Sequence, residues 1–209
     1  MSQASDRIAA RQAATREEIL DHAEAIVADL GAGALTVSAV ARRMGVRPPS
    51  LYKHVDSLHA IYDGLFTRGQ RRLRAHVEQA TNGAAPGLES VLVGARAFVE
   101  WCVLEPALAT LLFWRPVPGY EPSPEHFADA VEFLALSREQ LHHAVAAGEL
   151  APGADTDEGQ RLLTVVVSGI FSQQAANEPG VSFATGRFTS LTDEALSMFV
   201  RHFQPTQEP

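Results

Sequence analysis

The chain has a single cysteine, Cys102, so no internal disulfide can form and the sequence fits a reducing, cytoplasmic setting. Phe98, Val99, Trp101 and Val103 surround it in sequence, which marks it as a packed thiol rather than a redox or metal group. Long apolar runs are missing as well. The strongest, Leu162 to Val167, is far too short to span a bilayer and is interrupted by Thr164, so no membrane partner is expected. Residues 1–14 are polar and Ala-rich and lack the apolar stretch of a secretory signal. No GxxxxGK[ST], GxGxxG, HExxH, CxxC or GxSxG segment occurs, which removes the usual sequence marks of nucleotide, dinucleotide, zinc and esterase chemistry. The histidines are scattered. His142 and His143 are adjacent and so point to different faces of a helix, and His126 lies sixteen residues earlier. No metal or other cofactor is expected, and no enzyme activity. A Ser–His–Asp set assembled from distant positions is the one catalytic arrangement that spacing leaves open. Period-two alternation is absent beyond a few residues, and there is no repeat or heptad run, so the fold class is all-α.

Acid is absent from one stretch in particular. Residues 36–55, TVSAVARRMGVRPPSLYKHV, hold Arg42, Arg43, Arg47 and Lys53 and no Asp or Glu, on a chain of net charge −8. A basic island on an acidic protein points to contact with a polyanion. Val37, Val40, Ala41 and Met44 fall at i, i+3, i+4 and i+7, a helical stripe, with Thr36 placed to cap it. Gly45 follows as a stop. Pro48 or Pro49 then opens a second short helix, where a missing N–H is tolerated. Leu51 and Val55 face back toward the first helix, leaving Arg47, Ser50, Tyr52, Lys53 and His54 to point outward. Two short helices joined by a Gly-containing turn make a helix-turn-helix.

The rest of the chain reads as helices separated by breakers. Residues 1–14 are expected to be a frayed arm, with phosphate contact by its arginines as the lesser alternative. Thr15 and Glu18 fit a capping box that starts the first helix, and Gly31 and Gly33 end it. A connecting helix starts at Asp56 or Ser57 and extends to about residue 80. Its arginines Arg68, Arg71, Arg72 and Arg74 are expected to form a solvated face or to snorkel over the domain junction rather than to bind phosphate. TNGAAPG, residues 81–87, marks a boundary. The expected domains are thus residues 1–55, completed by the connecting helix 56–80, and residues 81–209. Residues 1–80 hold eleven basic and nine acidic side chains, whereas 81–209 hold six and sixteen. The second part should therefore face away from DNA. Further helices are expected from Leu88 to Leu104, from Pro106 to near Trp114, and from Pro124 to about Ala147. In the last of these Phe127, Val131, Leu134, Leu141 and Val145 should point inward. RPVPGYEPSP, with its four prolines, should be an extended loop. A helix over about Thr156 to Asn177 is apolar nearly all round, so a second copy of the chain is expected on one side of it.

The first eighty residues resemble the N-terminal domain of the tetracycline-repressor (TetR) family of bacterial regulators, on the stretch TREEILDHAEAIVADLGAGALTVSAVARRMGVRPPSLYKHVDSLHAIYDGL, Thr15 to Leu65. RPVPGYEPSP and QQAANEPG resemble the C-terminal domain of some actinobacterial members more weakly. The resemblance implies a three-helix DNA-reading domain joined to a larger helical ligand-binding and dimerisation domain. Pro48 to His54 would enter the major groove of a near-palindromic operator in double-stranded DNA. Arg47, Pro49 and Ser50 would lie nearest the bases, and Thr36, Tyr52, Lys53 and His54 would hold phosphates. A small, mostly apolar effector would sit among Phe98, Trp101, Phe113, Trp114, Phe127, Phe133 and Phe171, with Cys102, His126 or Gln173 as polar points. Leu162, Val166, Ile170, Leu196, Phe199 and Phe203 would form a homodimer interface. The resulting function is a transcriptional regulator, a repressor released by its ligand. Its alternatives are a DNA-binding regulator without a small-molecule effector and an enzyme using the C-terminal pocket.

Overall fold

The structure, a computed structural model, describes residues 2–205. Met1 and residues 206–209, the extremes of the expected arm and of the C-terminal domain, lie outside that range. The described chain holds helices and turns and no strand. The helices are α1 (Ser2–Leu30), α2 (Val37–Arg43), α3 (Pro48–Leu51), α4 (Leu58–Thr81), α5 (Leu88–Leu104), α6 (Pro106–Phe113), α7 (Pro124–Ala146), α8 (Asp157–Asn177) and α9 (Thr192–His202). They fall into two compact units. One comprises the chain to Gln70 together with Ala107–Phe127; the other comprises Arg71–Pro106 and the chain from Ala128 onward. The division thus runs inside α4 rather than through residues 81–87, because α6 and the proline-rich loop pack with the first unit.

In the first unit α1 begins at Ser2, so residues 2–14 are helical and not a frayed arm. They include Ala4, Ala9, Ala10, Ala13 and Ala14 with Arg7, Arg11 and Gln12, all strong helix formers, and neither Gly nor Pro. Thr15 is consequently not a cap: its hydroxyl donates to the Arg11 carbonyl one turn back, at 3.0 Å. Ile19, Ala23, Ile26 and Val27 of α1 are buried together with Leu35, Val40, Ala41, Leu51, Ile61, Leu65 and Phe66. The Tyr62 hydroxyl donates to the Ala32 carbonyl at 2.8 Å, tying α4 to the turn after α1. Gly64 lets those two helices approach closely, since a Cβ there would stand 2.7 Å from Leu20 Cδ2. Arg68 reaches from α4 to three carboxylates of α1, Glu17, Asp21 and Glu24, at 2.6, 2.8 and 2.9 Å. Burial opposes its charge, but the three hydrogen-bonded acids outweigh that and hold its pKa above the ordinary arginine value.

In the second unit α8 packs chiefly on α5 and also on α9. Thr156 caps α8 by accepting from the Gly159 N–H at 3.1 Å. Leu163, Val167, Ile170 and Phe171 of α8 are buried with Val91, Phe98, Val99, Trp101 and Cys102 of α5. Arg71, Arg72 and Arg74 bind Asp129, Glu105 and Glu132 within this unit. Two expectations about faces change. Val131 and Leu134 are exposed, because α7 buries a line of smaller residues, Ala130 and Ala144 with Leu141, that permits closer packing. Phe127, in the first unit, stacks on Phe66 at 6.1 Å yet is 43% exposed. On α9, Leu196, Phe199 and Phe203 turn into this unit's own core, and Ile170 of α8 does the same. They are therefore not free to form a dimer face. Leu162 and Val166 are half-buried. The open face of α8 runs one residue earlier, through Arg161, Val165, Gly169 and Gln173, and Met198 is its counterpart on α9.

Candidate nucleic-acid interface

The site is built from the α2–α3 hairpin. The Thr36 hydroxyl accepts from the Ala39 N–H at 3.0 Å, which starts α2 and leaves its own proton free for an outside acceptor. Val37, Val40 and Ala41 are buried and hold α2 against the unit's core. Gly45, at φ +70°, closes α2. The Val46 N–H donates to the Ala41 carbonyl at 2.9 Å and the Gly45 N–H to the Arg42 carbonyl at 3.1 Å, the paired bonds of a Schellman ending. Arg47 is then the extended residue before α3, and Pro48 and Pro49 occupy its first two positions.

Those prolines have a chemical consequence. The first two positions of α3 carry no N–H, and the third, Ser50, donates its own to the Arg47 carbonyl at 2.9 Å. No main-chain donor of that first turn is left for an anion, so phosphate contacts must come from side chains. Side chains are well placed for it. Thr36, Arg47, Pro49, Ser50, Tyr52 and Lys53 are exposed, and Tyr52 is an exposed aromatic at 56%. Pro48 and His54 are half-buried. Leu51 is buried and anchors α3 from behind. Glu17, Asp21 and Glu24 are engaged by Arg68, while Asp29 binds the hairpin's own Arg43 at 2.9 Å and leaves Arg42, Arg47 and Lys53 to set the charge of its surface. The surface of the hairpin thus stays basic, and Lys53 is the only lysine in the chain.

The residues expected around an effector are divided between the two units. Phe98, Trp101, Cys102 and Phe171 are buried in the second unit, and Phe133 there is half-buried. Burial pushes the Cys102 thiol pKa well up, which makes it inert. Phe113, Trp114, His126 and Phe127 belong to the first unit. Gln173 is exposed, and the buried amide is its neighbour Gln174, whose Oε1 accepts from the Phe188 and Thr189 N–H groups. Helical spacing was the signal that separates them, since Gln174 follows Ile170 and Phe171 by four and three residues. In the first unit the Tyr120 hydroxyl donates to Asp63 at 2.9 Å, and burial first, then that bond, drives its pKa far up. Ser123 and His126 join this group, but it is no catalytic triad. The Ser123 hydroxyl lies 2.7 Å from His126 Nδ1 and Asp63 lies 3.8 Å from the same nitrogen, whereas a triad needs serine and aspartate on opposite nitrogens. Among the described residues no cluster of His, Cys, Asp and Glu is arranged to hold a metal, and no helix is long and apolar enough to cross a membrane.

Sequence reading weighed the arginines of residues 1–14 as phosphate contacts but placed them in a frayed arm. Ile8, Arg11, Gln12 and Thr15 of α1 line a surface cleft with His54. Their i, i+3, i+4, i+7 spacing was a readable signal, hidden because the stripe is mostly polar.

No protein-family model matches the chain. An HTH-type transcriptional regulator of Mycobacterium bovis is 28% identical over 138 residues, 65% of this chain and 56% of the relative. The chain thus spans just over half the length of that relative. Among solved structures, a regulatory protein in the tetR family from Rhodococcus RHA1 superposes with a TM-score of 0.68 at 16% identity, covering 92% of this chain and 98% of that one. The transcriptional regulator FadR from Bacillus subtilis, in complex with stearoyl-CoA, superposes with a TM-score of 0.69 at 16% identity, covering 88% and 97%. From the capped α2–α3 hairpin to the helices that follow it, the chain has the fold of the TetR-family regulators.

Proposed function

We propose that the chain is a sequence-specific DNA-binding transcriptional regulator. One observation carries this reading: an acid-free helix-turn-helix exposes Arg47, Pro49, Ser50, Tyr52 and Lys53 around an anchored Leu51. Arg47, Pro49 and Ser50 read base edges, while Thr36, Tyr52, Lys53 and His54, with Pro48 setting the approach, hold the backbone. The test is selection from random duplexes with the purified chain and its Lys53→Ala and Tyr52→Ala variants at fixed salt. Enrichment of a palindrome that both variants lose is the expected result. No enrichment even at low salt, where phosphate contacts are strongest, refutes the reading.

The regulator is a homodimer in this proposal, joined through the open faces of α8 and α9 at Val165, Gly169 and Met198. Val165 and Met198 are 65% and 60% exposed, unusual for apolar side chains on well-packed helices. Val165→Glu is expected to shift the sedimentation coefficient to that of a monomer, and an unchanged coefficient rules this face out. The regulator acts as a repressor released by a small, mostly apolar ligand, as the stearoyl-CoA complex of a protein of this fold suggests. Phe98, Trp101, Phe133 and Phe171 of the second unit remain its candidate contacts. A saturable thermal shift with a fatty acyl compound supports the ligand, and a flat response across such a panel favours a regulator without one.

A further inference from the structure

We propose that the proline-rich segment 115–123 is a strap that positions the DNA-reading hairpin through Asp63, a proposal that deepens the regulator reading above and rests on it. Three residues of α4, at i, i+3 and i+4, grip one tyrosine of the strap. Tyr120 is buried, and its ring lies 5.7 Å from that of His59 and 5.2 Å from that of Tyr62. Its hydroxyl donates to Asp63 Oδ1 at 2.9 Å. The Ser123 N–H donates to the same oxygen at 3.3 Å, so one carboxylate holds both the middle and the end of the strap. The Asp63 side chain is 17% exposed, and His126 Nδ1 lies 3.8 Å from its other oxygen. A carboxylate so placed depends on the donors it is given. Burial first, then this bond, keeps the Tyr120 hydroxyl protonated well above the usual tyrosine range, so the donor is constant.

The grip continues to the hairpin. The Tyr62 hydroxyl donates to the Ala32 carbonyl at 2.8 Å, and the Leu35 N–H donates to the same carbonyl at 3.2 Å. Leu35 is buried and precedes Thr36, whose hydroxyl starts α2. Tyr120 therefore bears on the ring whose hydroxyl fixes the entry to the reading element, although α4 to α6 separate the two in sequence. The strap is stiff enough to carry this. Pro116, Pro118 and Pro122 fix three of its φ angles, and Arg115 binds Glu121 across it at 3.1 Å. It is also held against its own preference. Arg115, at φ +45°, is the only residue other than glycine with a positive φ among the described residues, a conformation that a Cβ disfavours. A stiff and strained segment keeps its place only where its surroundings hold it, and Asp63 supplies that hold. Asp63 and Tyr120 are thus positioning residues for DNA reading that lie outside the hairpin.

Two variants of the full chain test this. Tyr120→Phe keeps the ring and removes the donor. Adding Asp63→Asn neutralises the stranded carboxylate and leaves an acceptor for the Ser123 N–H. The single variant is expected to melt about 3–8 °C lower, as loss of a hydrogen bond to a charged group does in a chain of this size, and the double variant to regain most of that. Hydrogen exchange in the free protein reads the strap without DNA: the Leu35 amide should exchange about tenfold faster in both variants. Affinity is then measured well below every melting point, on the selected palindrome and on a scrambled duplex of equal length. Base reading needs the hairpin held in register, whereas phosphate attraction tolerates misorientation. Both variants are expected to lose about three- to tenfold on the palindrome, as the competent orientation becomes less populated, and under about twofold on the scramble. An affinity that returns with the melting temperature in the double variant overturns the strap. So does an equal loss on both duplexes, or a wild-type exchange rate at Leu35. The wild type alone reports the regulator reading, by selecting a palindrome or not, and the exchange rates need no DNA, so the two proposals fail separately.

Discussion

Replacing Arg68 with methionine keeps most of its apolar stem and removes the charge that holds α1 against α4. The guanidinium side chain is 10% exposed, and its three partners differ sharply in environment. Glu17 and Asp21 are 68% and 67% exposed, so each pair contributes about 0–1 kcal/mol. Glu24 is 20% exposed, and taking the cation away from it resembles breaking a buried pair, for which losses of about 3–5 kcal/mol are typical. Partial exposure of Glu24 scales this down, and the expected loss for Arg68→Met is about 2–4 kcal/mol. For a chain of this size each kcal/mol moves the melting temperature by about 2–4 °C, so a drop of about 5–15 °C is expected. Thermal unfolding followed by circular dichroism at neutral pH reads it. The single variants must rank as burial dictates: Glu24→Gln well above Glu17→Gln and Asp21→Asn. Arg68→Met combined with Glu24→Gln should recover part of the loss, since the stranded carboxylate is then neutral. A melting point within about 1 °C of the wild type for Arg68→Met, or equal costs for all three acids, refutes the reasoning.

Gly159→Ala is expected to destabilise the second unit by about 1–3 kcal/mol, as overpacking does, because its Cβ would lie 2.4 Å from the Ala154 carbonyl oxygen, a backbone atom. Gly94→Ala, whose Cβ meets side chains at an ordinary 3.5 Å within α5, should instead stabilise by about 0.5–1 kcal/mol; chemical denaturation compares the two. Lys53 is the only lysine, so mild acylation followed by mass spectrometry reads one side chain besides the N-terminus; the selected duplex should protect it, and equal labelling with and without DNA contradicts its phosphate role. Hydrogen bonds from His142 and then Arg138 hold the Asp155 carboxyl below its usual range. A folded pKa below the unfolded one gives stability that is present above the unfolded value and lost as pH falls through the folded one. The stability gap between wild type and Asp155→Asn should therefore be full at neutral pH and shrink on acidification; a gap that widens contradicts the assignment.

The hairpin was readable because each of its signals has one physical meaning. An apolar i, i+3, i+4, i+7 stripe must be buried, a threonine before it caps, a glycine after it accepts positive φ, and a proline pair opens a helix. The bounds of α5, α7 and α8 followed from the same punctuation. Residues 2–14 were misread because their helix rests on intrinsic propensity, with no apolar face to announce it. The expected dimer face differs from the open one for another reason. Periodicity tells which residues share a side of a helix, but not whether that side meets its own chain or another. Leu196, Phe199 and Phe203 form as good a stripe as any interface would, and the core took them. Gln174 and Gln173 are chemically identical, but Gln174 continues the buried stripe of Val167, Ile170 and Phe171 and Gln173 the open one.

Pro48 and Pro49 leave a last consequence, in the thermodynamics of complex formation. A four-residue helix is too short to hold its shape through its own hydrogen bonds, and in many recognition elements it would order only on contact. Here two rings fix successive φ angles and Leu51 pins the far end, so the element enters the encounter already shaped. Association should then proceed as rigid docking, with a fast on-rate steered by charge. Calorimetry should show only a modest negative heat-capacity change, set by the apolar surface that Pro49 and Tyr52 bury against thymine methyls and sugars, without the large additional change that marks folding coupled to binding.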